Sequence, residues 1–67
     1  MIKYVGKAIR VDKGISVRGL AKLAQVAPST VYKWECGDHL PDLVSLDLVS
    51  NALSTTPWKL IEFIKDK

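Results

Sequence analysis

The chain has little of what small proteins commonly use as cross-links. It contains one cysteine and one histidine among 67 residues. A single cysteine cannot form an intrachain disulfide, and one cysteine with one histidine cannot supply the four ligands of a structural zinc site. We therefore expect no metal and no cofactor, and we expect stability to come from packing alone.

Long apolar runs are also missing. No stretch approaches the roughly 18 apolar residues that a membrane span needs. The opening sequence MIKYVGK has neither the apolar segment nor the cleavage site of a secretory signal. We therefore expect a cytoplasmic protein that does not contact a membrane.

Catalytic motifs are absent as well. There is no glycine-rich phosphate loop, no nucleophile elbow and no pair of carboxylates on one helical face. Asp38 and Asp42 are four residues apart, but Pro41 lies between them, so a shared helix does not bring them together. We expect a protein that is not an enzyme and that has no small-molecule ligand.

Length and composition indicate one small folded domain covering residues 1–67. A chain of this length has room for one modest core. Its hydrophobic fraction of 48% is too high for a disordered segment.

Acidic residues are scarce in the first half of the chain. Residues 1–33 carry seven lysines and arginines against one aspartate, whereas residues 34–67 carry three lysines against six acids. A basic half favours binding to phosphates, because each neutralised phosphate releases counterions. The alternative is that the cations only keep a small helical protein soluble.

The centre of the chain predicts two short helices joined by a tight corner. Ser16 is a suitable N-cap for the first, and residues 28–36 form the second, with Pro28 in its first turn. The residues between them, 25–27, are too few for anything but a sharp turn. Helical periodicity places apolar side chains on a common core, namely those of Leu20, Ala21, Leu23, Ala24, Val31 and Trp34.

Three further helices are predicted around this pair. The first covers residues 2–12 and buries Ile2, Val5 and Ile9, and Lys13-Gly14 ends it. A fourth, over residues 42–53, is capped by Asp42 and buries Leu43, Leu46, Val49 and Leu53. A fifth covers residues 58–65, with Thr56 as its N-cap and Pro57 at its start. The predicted fold is all-α, a compact bundle of five short helices.

The run G-I-S-x-x-x-L-A-x-L-A-x-V-x-x-S-T-V-x-K-W-E-x-G, residues 14–37, resembles the helix-turn-helix of the Cro/CI-type phage repressors, the XRE family. It continues into P-x-L-x-x-L-x-x-V-x-x-A-L, residues 41–53, which resembles the fourth helix of that family. The resemblance implies a sequence-specific regulator, most simply a repressor, that binds a two-fold operator in double-stranded DNA as a dimer. It also implies that Gln25, where relatives have glycine, takes a left-handed conformation.

The resemblance and the outward positions of the second helix imply the contacts with DNA. Small polar groups and a cation on a short helix suit a major groove about 12 Å wide. The expected base-reading residues are Pro28, Ser29, Tyr32 and Lys33. The expected phosphate-binding residues are Ser16, Val17, Arg18, Lys22, Thr30, Cys36, Gly37, Asp38 and His39.

Two structural contacts complete these expectations. Arg10 and Glu35 match family positions that meet, and a guanidinium can bind a carboxylate through two hydrogen bonds. The alternative is two unrelated surface charges. The predicted fifth helix carries more apolar surface than one small core absorbs, so Trp58 and Phe63 are expected at a dimer interface.

Two other functions remain open at this level. The chain can be the DNA-binding part of an antitoxin or of a larger regulator. It can also be a protein-interaction module, such as an antirepressor, that keeps the helix-turn-helix frame but binds a polypeptide.

Overall fold

The computed structural model describes residues 1–65, and these form four α-helices and a small two-stranded antiparallel sheet. The helix-turn-helix is present, but the fold is neither a five-helix bundle nor strictly all-α. In chain order the elements are β1 (Ile2–Tyr4), α1 (Gly6–Asp12), α2 (Val17–Ala24), α3 (Pro28–Cys36), α4 (Leu43–Ala52), a 3-10 turn (Pro57–Lys59) and β2 (Ile61–Phe63).

The two ends of the chain form the sheet, and this corrects the predictions for the first and fifth helices. Residues 2–4 form a strand, so α1 begins at Gly6. The predicted helix over residues 58–65 is instead a 3-10 turn followed by β2. Both segments are rich in β-branched and aromatic residues, and each gains its hydrogen bonds from the other end of the chain. Local periodicity carries no signal of such a long-range pairing.

The register of the sheet places apolar residues on one face and a charged pair on the other. Ile2 lies opposite Phe63, Lys3 opposite Glu62, and Tyr4 opposite Ile61. The pairing extends past both strands, because the N–H of Val5 donates to the carbonyl of Leu60 at 2.7 Å. The N–H of Ile64 likewise donates to the carbonyl of Met1 at 2.7 Å.

The core lies between α2, α3, α4 and the inner face of the sheet. Helix α2 buries Leu20, Ala21 and Ala24 as predicted, and α3 buries Val31 and Trp34. The Trp34 ring contacts the Tyr4 ring of β1, with 5.9 Å between ring centroids and 54° between the planes. The sheet therefore packs directly against the back of α3.

Several predicted core positions are wrong. Leu43 is 84% exposed because it stands in the first turn of α4 and faces away from the core. Leu23 is exposed too, since the outer side of α2 has no neighbour. Ile2 is exposed at the far end of the sheet, and Val5 and Ile9 are only partly buried. In the fourth predicted helix, Leu46, Val49 and Leu53 are buried as predicted. The buried face of α4 also includes Ser45 and Ser50, whose small side chains allow close packing.

The residues predicted to begin and end the helices between Lys13 and Leu53 are confirmed. The Ser16 hydroxyl accepts a hydrogen bond from the N–H of Gly19 at 3.0 Å. The Asp42 carboxylate accepts one from the N–H of Ser45 at 2.7 Å, and this bond lowers the pKa of Asp42. Gly14 and Gly37 have φ of 70° and 91°, the left-handed region that glycine adopts without strain. Thr56 is the exception, because its side chain caps nothing.

Gly6, at the start of α1, allows close packing of Tyr4. A Cβ built on Gly6 would overlap the Tyr4 hydroxyl and lie 3.0 Å from ring atom Cε1. We expect Gly6→Ala to lower the free energy of unfolding by about 1–3 kcal/mol, because the ring must leave its place against Trp34.

Gly19→Ala is the matched control for that substitution. Its Cβ would approach Ser16 Oγ at 3.2 Å and Ile15 Cγ2 at 3.6 Å, and alanine favours a helix interior by up to about 1 kcal/mol. Urea unfolding followed by circular dichroism compares the two. Equal effects would contradict the role of Gly6 in seating Tyr4.

Candidate nucleic-acid interface

Helices α2 and α3 form the unit predicted from the sequence, joined by a corner at residues 25–27. Gln25 has φ of 60° and ψ of 40°, the left-handed conformation that the resemblance implied. The corner is closed by the N–H of Val26, which donates to the carbonyl of Ala21 at 3.0 Å. A non-glycine residue held left-handed costs about 1–2 kcal/mol, which the packing of the two helices must offset.

Helix α3 has one buried face and one exposed face. Val31 and Trp34 anchor it in the core. The four predicted base-reading residues are all exposed, and they are Pro28, Ser29, Tyr32 and Lys33. The structure therefore presents these side chains to solvent together on one element, and their contacts with bases remain predictions.

A groove beside this exposed face is lined by cationic side chains. Lys7 from α1 and Arg18 from α2 border it together with Tyr32 of α3. The N-terminus of α2, at Ser16 and Val17, opens into the same groove. Free N–H groups at a helix N-terminus attract anions. The groove thus combines the cations of Lys7 and Arg18 with the positive end of a helix, and the paired Arg10 and Glu35 also border it.

Lys7 was not among the site residues predicted from the sequence. It lies one turn before Arg10 on α1, and this spacing puts both side chains on the same face of the helix. That spacing was the available signal. The predicted helix over residues 2–12 has the same spacing, but it does not show that this face lies beside α2 and α3.

A second cationic surface follows α2 toward the corner. Arg18 and Lys22 are one turn apart, and a shallow groove joins them to Val26 and Pro28 at the start of α3. Helix α2 has no acidic residue in its first turn and Lys22 in its last. The outer side of α2 is therefore positive along its length.

The remaining predicted phosphate-binding residues fall into two groups. The Val17 side chain is buried and Thr30 is partly buried, so Val17 can offer only its main chain to a phosphate. At the other end of α3 the predicted residues are all exposed, and they are Cys36, Gly37, Asp38 and His39. The loop after α3 borders a separate groove with β1 rather than the one at the N-terminus of α2.

Arg10 and Glu35 meet in the structure and join three parts of the chain. Arg10 Nε donates to Glu35 Oε2 at 2.7 Å, and Arg10 Nη2 donates to Glu35 Oε1 at 3.1 Å. Arg10 Nη1 donates to the carbonyl of Ile15 at 2.8 Å. The two side chains are 11% and 7% exposed. This bidentate pair ties α1 to the end of α3, and the hydrogen bond to Glu35 raises the pKa of Arg10.

Tyr4 adds an unusual polar group beside this pair. Burial, with a smaller contribution from the negative Glu35, raises the pKa of Tyr4 to about 12. Within residues 1–65 its hydroxyl has no hydrogen-bond partner. The aromatic ring, rather than the hydroxyl, therefore accounts for its contribution to packing against α3.

Trp58 and Phe63, the residues predicted at a dimer interface, are both large and exposed. Trp58 lies in the 3-10 turn with 71% of its surface accessible, and Phe63 ends β2 with 69% accessible. They lie on different elements from the single helix that the sequence suggested. Their role in a dimer remains a prediction.

The described residues contain neither a cluster that could bind a metal ion nor a helix that could span a membrane. Over residues 1–65 no three side chains of the histidine, cysteine, aspartate or glutamate type gather where they could hold a metal ion. None of the helices in that range combines the length and apolarity of a membrane span.

Comparison with known proteins agrees with this geometry. The helix-turn-helix family model HTH_3 matches residues 7–57, which include all but the first residue of α1 and the whole of α2, α3 and α4. No curated protein sequence matches the chain. The crystal structure of the clp gene regulator ClgR from Corynebacterium glutamicum superposes with a TM-score of 0.76 at 28% identity. The match covers 81% of this chain and 57% of that chain, so this chain spans little more than half the length of the ClgR chain.

The matched region contains the helix pair, the corner and the exposed face of α3 described above. The chain therefore belongs to the Cro/CI-type, or XRE, helix-turn-helix family.

Proposed function

We propose that this chain binds double-stranded DNA sequence-specifically and acts as a transcriptional repressor of the Cro/CI type, as a dimer on a two-fold operator. The observation that carries the proposal is the exposed face of α3, which presents Ser29, Tyr32 and Lys33 outward while Val31 and Trp34 anchor its back. A rigid helix of this size fits the major groove.

Base recognition follows from the chemistry of the exposed side chains. Lys33 donates hydrogen bonds and suits the O6 and N7 acceptors of guanine. The Ser29 hydroxyl can donate or accept, so it pairs with several base edges. Pro28 and the ring of Tyr32 can make apolar contacts with the methyl group of thymine.

Positioning on the duplex falls to the cationic surfaces beside α3. Lys7, Arg18 and Lys22 are exposed around the N-terminal half of the helix-turn-helix, where the neighbouring phosphates would lie. Main-chain N–H groups at the start of α2 add neutral donors to the same phosphates. The loop at residues 37–39 would contact the backbone on the other side of α3.

The proposal includes three consequences for the protein as a whole. The protein would have no catalytic site, it would act in the cytoplasm, where its DNA lies, and it would bind DNA as two copies. One recognition helix reads only a few base pairs, so useful specificity needs two half-sites about 34–36 Å apart.

Lys33→Ala and Lys22→Ala are expected to weaken DNA binding in different ways. Lys33→Ala should cost about 1–3 kcal/mol on the preferred sequence and relax preference at particular base pairs. Lys22→Ala should weaken binding to all sequences about equally and reduce the salt slope by about one. Fluorescence anisotropy on a panel of single-base-pair variants of the preferred duplex measures both. Identical profiles for the two substitutions would mean that α3 does not read the bases.

Salt dependence separates DNA binding from a protein-interaction role on the same frame. If the cationic surfaces face phosphates, the logarithm of the affinity should fall linearly with the logarithm of the salt concentration. A subunit that neutralises several phosphates gives a slope of about −0.9 for each one. A flat plot would contradict the DNA proposal and favour binding to a polypeptide.

A further inference from the structure

The outer face of α4 exposes two large apolar side chains at the start of the helix. Leu43 is 84% exposed and Val44 is 72% exposed, and both stand in the first turn. The inner face of the same helix buries Ser45 and Ser50. Small polar residues therefore lie inside, where an amphipathic helix usually has apolar ones, and large apolar residues lie outside. Adjacent apolar residues exposed in this way indicate a surface that contacts another molecule.

Carboxylates lie on both sides of these apolar residues. Asp47 is three residues after Val44 and four after Leu43, so its side chain is on the same face of α4. Asp42 precedes Leu43 as the helix cap, and it is exposed. Residues 34–58 contain no lysine or arginine, and neither aspartate forms an ion pair in the described part of the chain. We call these four residues the α4 patch.

We propose that the α4 patch binds a cationic amphipathic helix of another protein. Leu43 and Val44 would contact the apolar stripe of that helix, and the two aspartates would face its lysines or arginines. The ten residues of α4 span about 15 Å, so a partner helix of about three turns matches its length. The patch is small compared with the surfaces of permanent complexes, so the contact would be weak and reversible.

The inference goes beyond the proposed function, because it assigns a second binding surface that takes no part in reading DNA. The proposed DNA contacts come from α3, from the cations of α1 and α2, and from the loop at residues 37–39. The outer face of α4 belongs to the acidic half of the chain. A protein partner could therefore bind there whether or not the chain binds DNA.

Charge selects this occupant over the others that could cover the face. Duplex DNA is disfavoured, because its phosphates would meet Asp42 and Asp47 with no cation between them. A second copy is disfavoured too, because a two-fold contact brings the same patch together from both copies and opposes like charges. A cationic helix pairs with the carboxylates and covers the apolar side chains at the same time.

A designed peptide tests the patch on the full, isotope-labelled chain. The probe is a helical peptide of about 14 residues, with leucines along one face and lysines on the other. Titration followed by amide chemical shifts in NMR spectra should change signals centred on residues 42–48. Two control peptides should bind at least about fivefold more weakly, namely a scrambled version without an apolar face and a version with glutamate for lysine. Equal binding of either control, or changes centred on Trp58 and Phe63, would overturn the proposal.

Two pairs of substitutions locate the contact. Leu43→Ser should raise the dissociation constant of the lysine peptide about fivefold or more, whereas Leu23→Ser, at an exposed leucine of α2, should change it less than about twofold. Asp47→Lys should also raise it about fivefold or more, and Asp12→Lys, at an exposed aspartate of α1, is its matched control. All four positions are exposed, so circular dichroism should show unchanged folding. Equal effects within either pair would overturn the proposal.

Charge reversal on both molecules separates a specific contact from general stickiness. The glutamate peptide should bind the Asp47→Lys chain more tightly than the unsubstituted chain, the opposite order to that of the lysine peptide. The same order for both peptides would overturn the assignment of Asp47.

The remaining measurements identify the other occupants if one of them is correct. Duplex DNA affinity should be unchanged by Leu43→Ser within about twofold, since the patch lies outside the proposed DNA contacts. If Leu43→Ser weakens DNA binding as strongly as peptide binding, DNA covers the face and the proposal fails. If Leu43→Ser instead abolishes self-association in sedimentation equilibrium, a second copy covers the face and the proposal fails. Neither result bears on sequence reading by α3, which Lys33→Ala tests separately.

Discussion

Replacing Glu35 by alanine is expected to lower the free energy of unfolding by about 3 kcal/mol or more. The substitution leaves the Arg10 guanidinium in a site where its side chain is only 11% exposed, with the Ile15 carbonyl as its remaining partner. A buried charge that loses its counter-ion costs far more than the pair itself contributed. Small domains of this size rarely have more than about 3–5 kcal/mol of stability, so Glu35→Ala should be largely unfolded at 25 °C.

A double-mutant cycle separates the pair from its surroundings. Replacing Arg10 by methionine and Glu35 by leucine together should recover much of the loss, because no unpaired charge remains. Asp38→Ala is the matched control, since it also removes an acid near the end of α3 but from an exposed position, and it should change stability by less than about 0.5 kcal/mol. Urea unfolding monitored by circular dichroism measures the single substitutions Arg10→Met and Glu35→Leu, the double substitution and the control, and the first three give the coupling energy. A coupling energy of zero would show that the pair does not hold α3.

Replacing Trp34 by alanine is expected to cost about 3–5 kcal/mol and to unfold most of the protein. Trp34 is only 3% exposed and packs between the body of the core and the Tyr4 ring. Its removal opens a cavity behind α3, on the side opposite the residues proposed to read DNA. The loss should therefore abolish sequence-specific binding through loss of the fold.

Trp58→Ala is the control that the chain itself supplies. It removes the same side chain from a position that is 71% exposed, so its effect on unfolding of the isolated chain should stay within about 0.5 kcal/mol. Thermal unfolding at low protein concentration compares the two substitutions. Similar shifts in Tm would contradict the placement of Trp34 in the core.

The helix-turn-helix could be predicted from the sequence because its determinants are local. Ser16 and Asp42 cap helices through neighbours three residues away, and Gly37 ends α3 in a left-handed conformation. The apolar positions Leu20 and Val31 repeat with helical spacing and are fully buried. Each of these features depends on contacts within one helix or between adjacent helices.

The sheet could not be predicted in the same way, because its strands are about sixty residues apart. Tyr4 and Ile61 become neighbours only when the chain ends meet, and each segment alone fits a helical pattern as well as an extended one. The exposure of Leu43 has a related cause, since burial depends on whether another element covers the first turn of α4. Gly6 begins α1 because only glycine leaves room for the Tyr4 ring, a contact that no local pattern indicates.

For the candidate site, the resemblance to the family motif predicted the exposed residues of α3 and the Arg10–Glu35 pair. Lys7 was missed because its place beside Arg18 and Tyr32 depends on how α1 packs against α2 and α3. The dimer surface was assigned to a helix that does not form.

Selection of bound sites from a random pool of duplex DNA tests the proposed function most directly. We expect an enriched sequence with two-fold symmetry and two half-sites whose centres are about one helical turn, 34–36 Å, apart. Repeating the selection with Lys33→Ala should lose preference at the same base pair in each half-site. Retention of DNA without enrichment of any sequence, or an enriched motif unchanged by Lys33→Ala, would contradict sequence reading by α3.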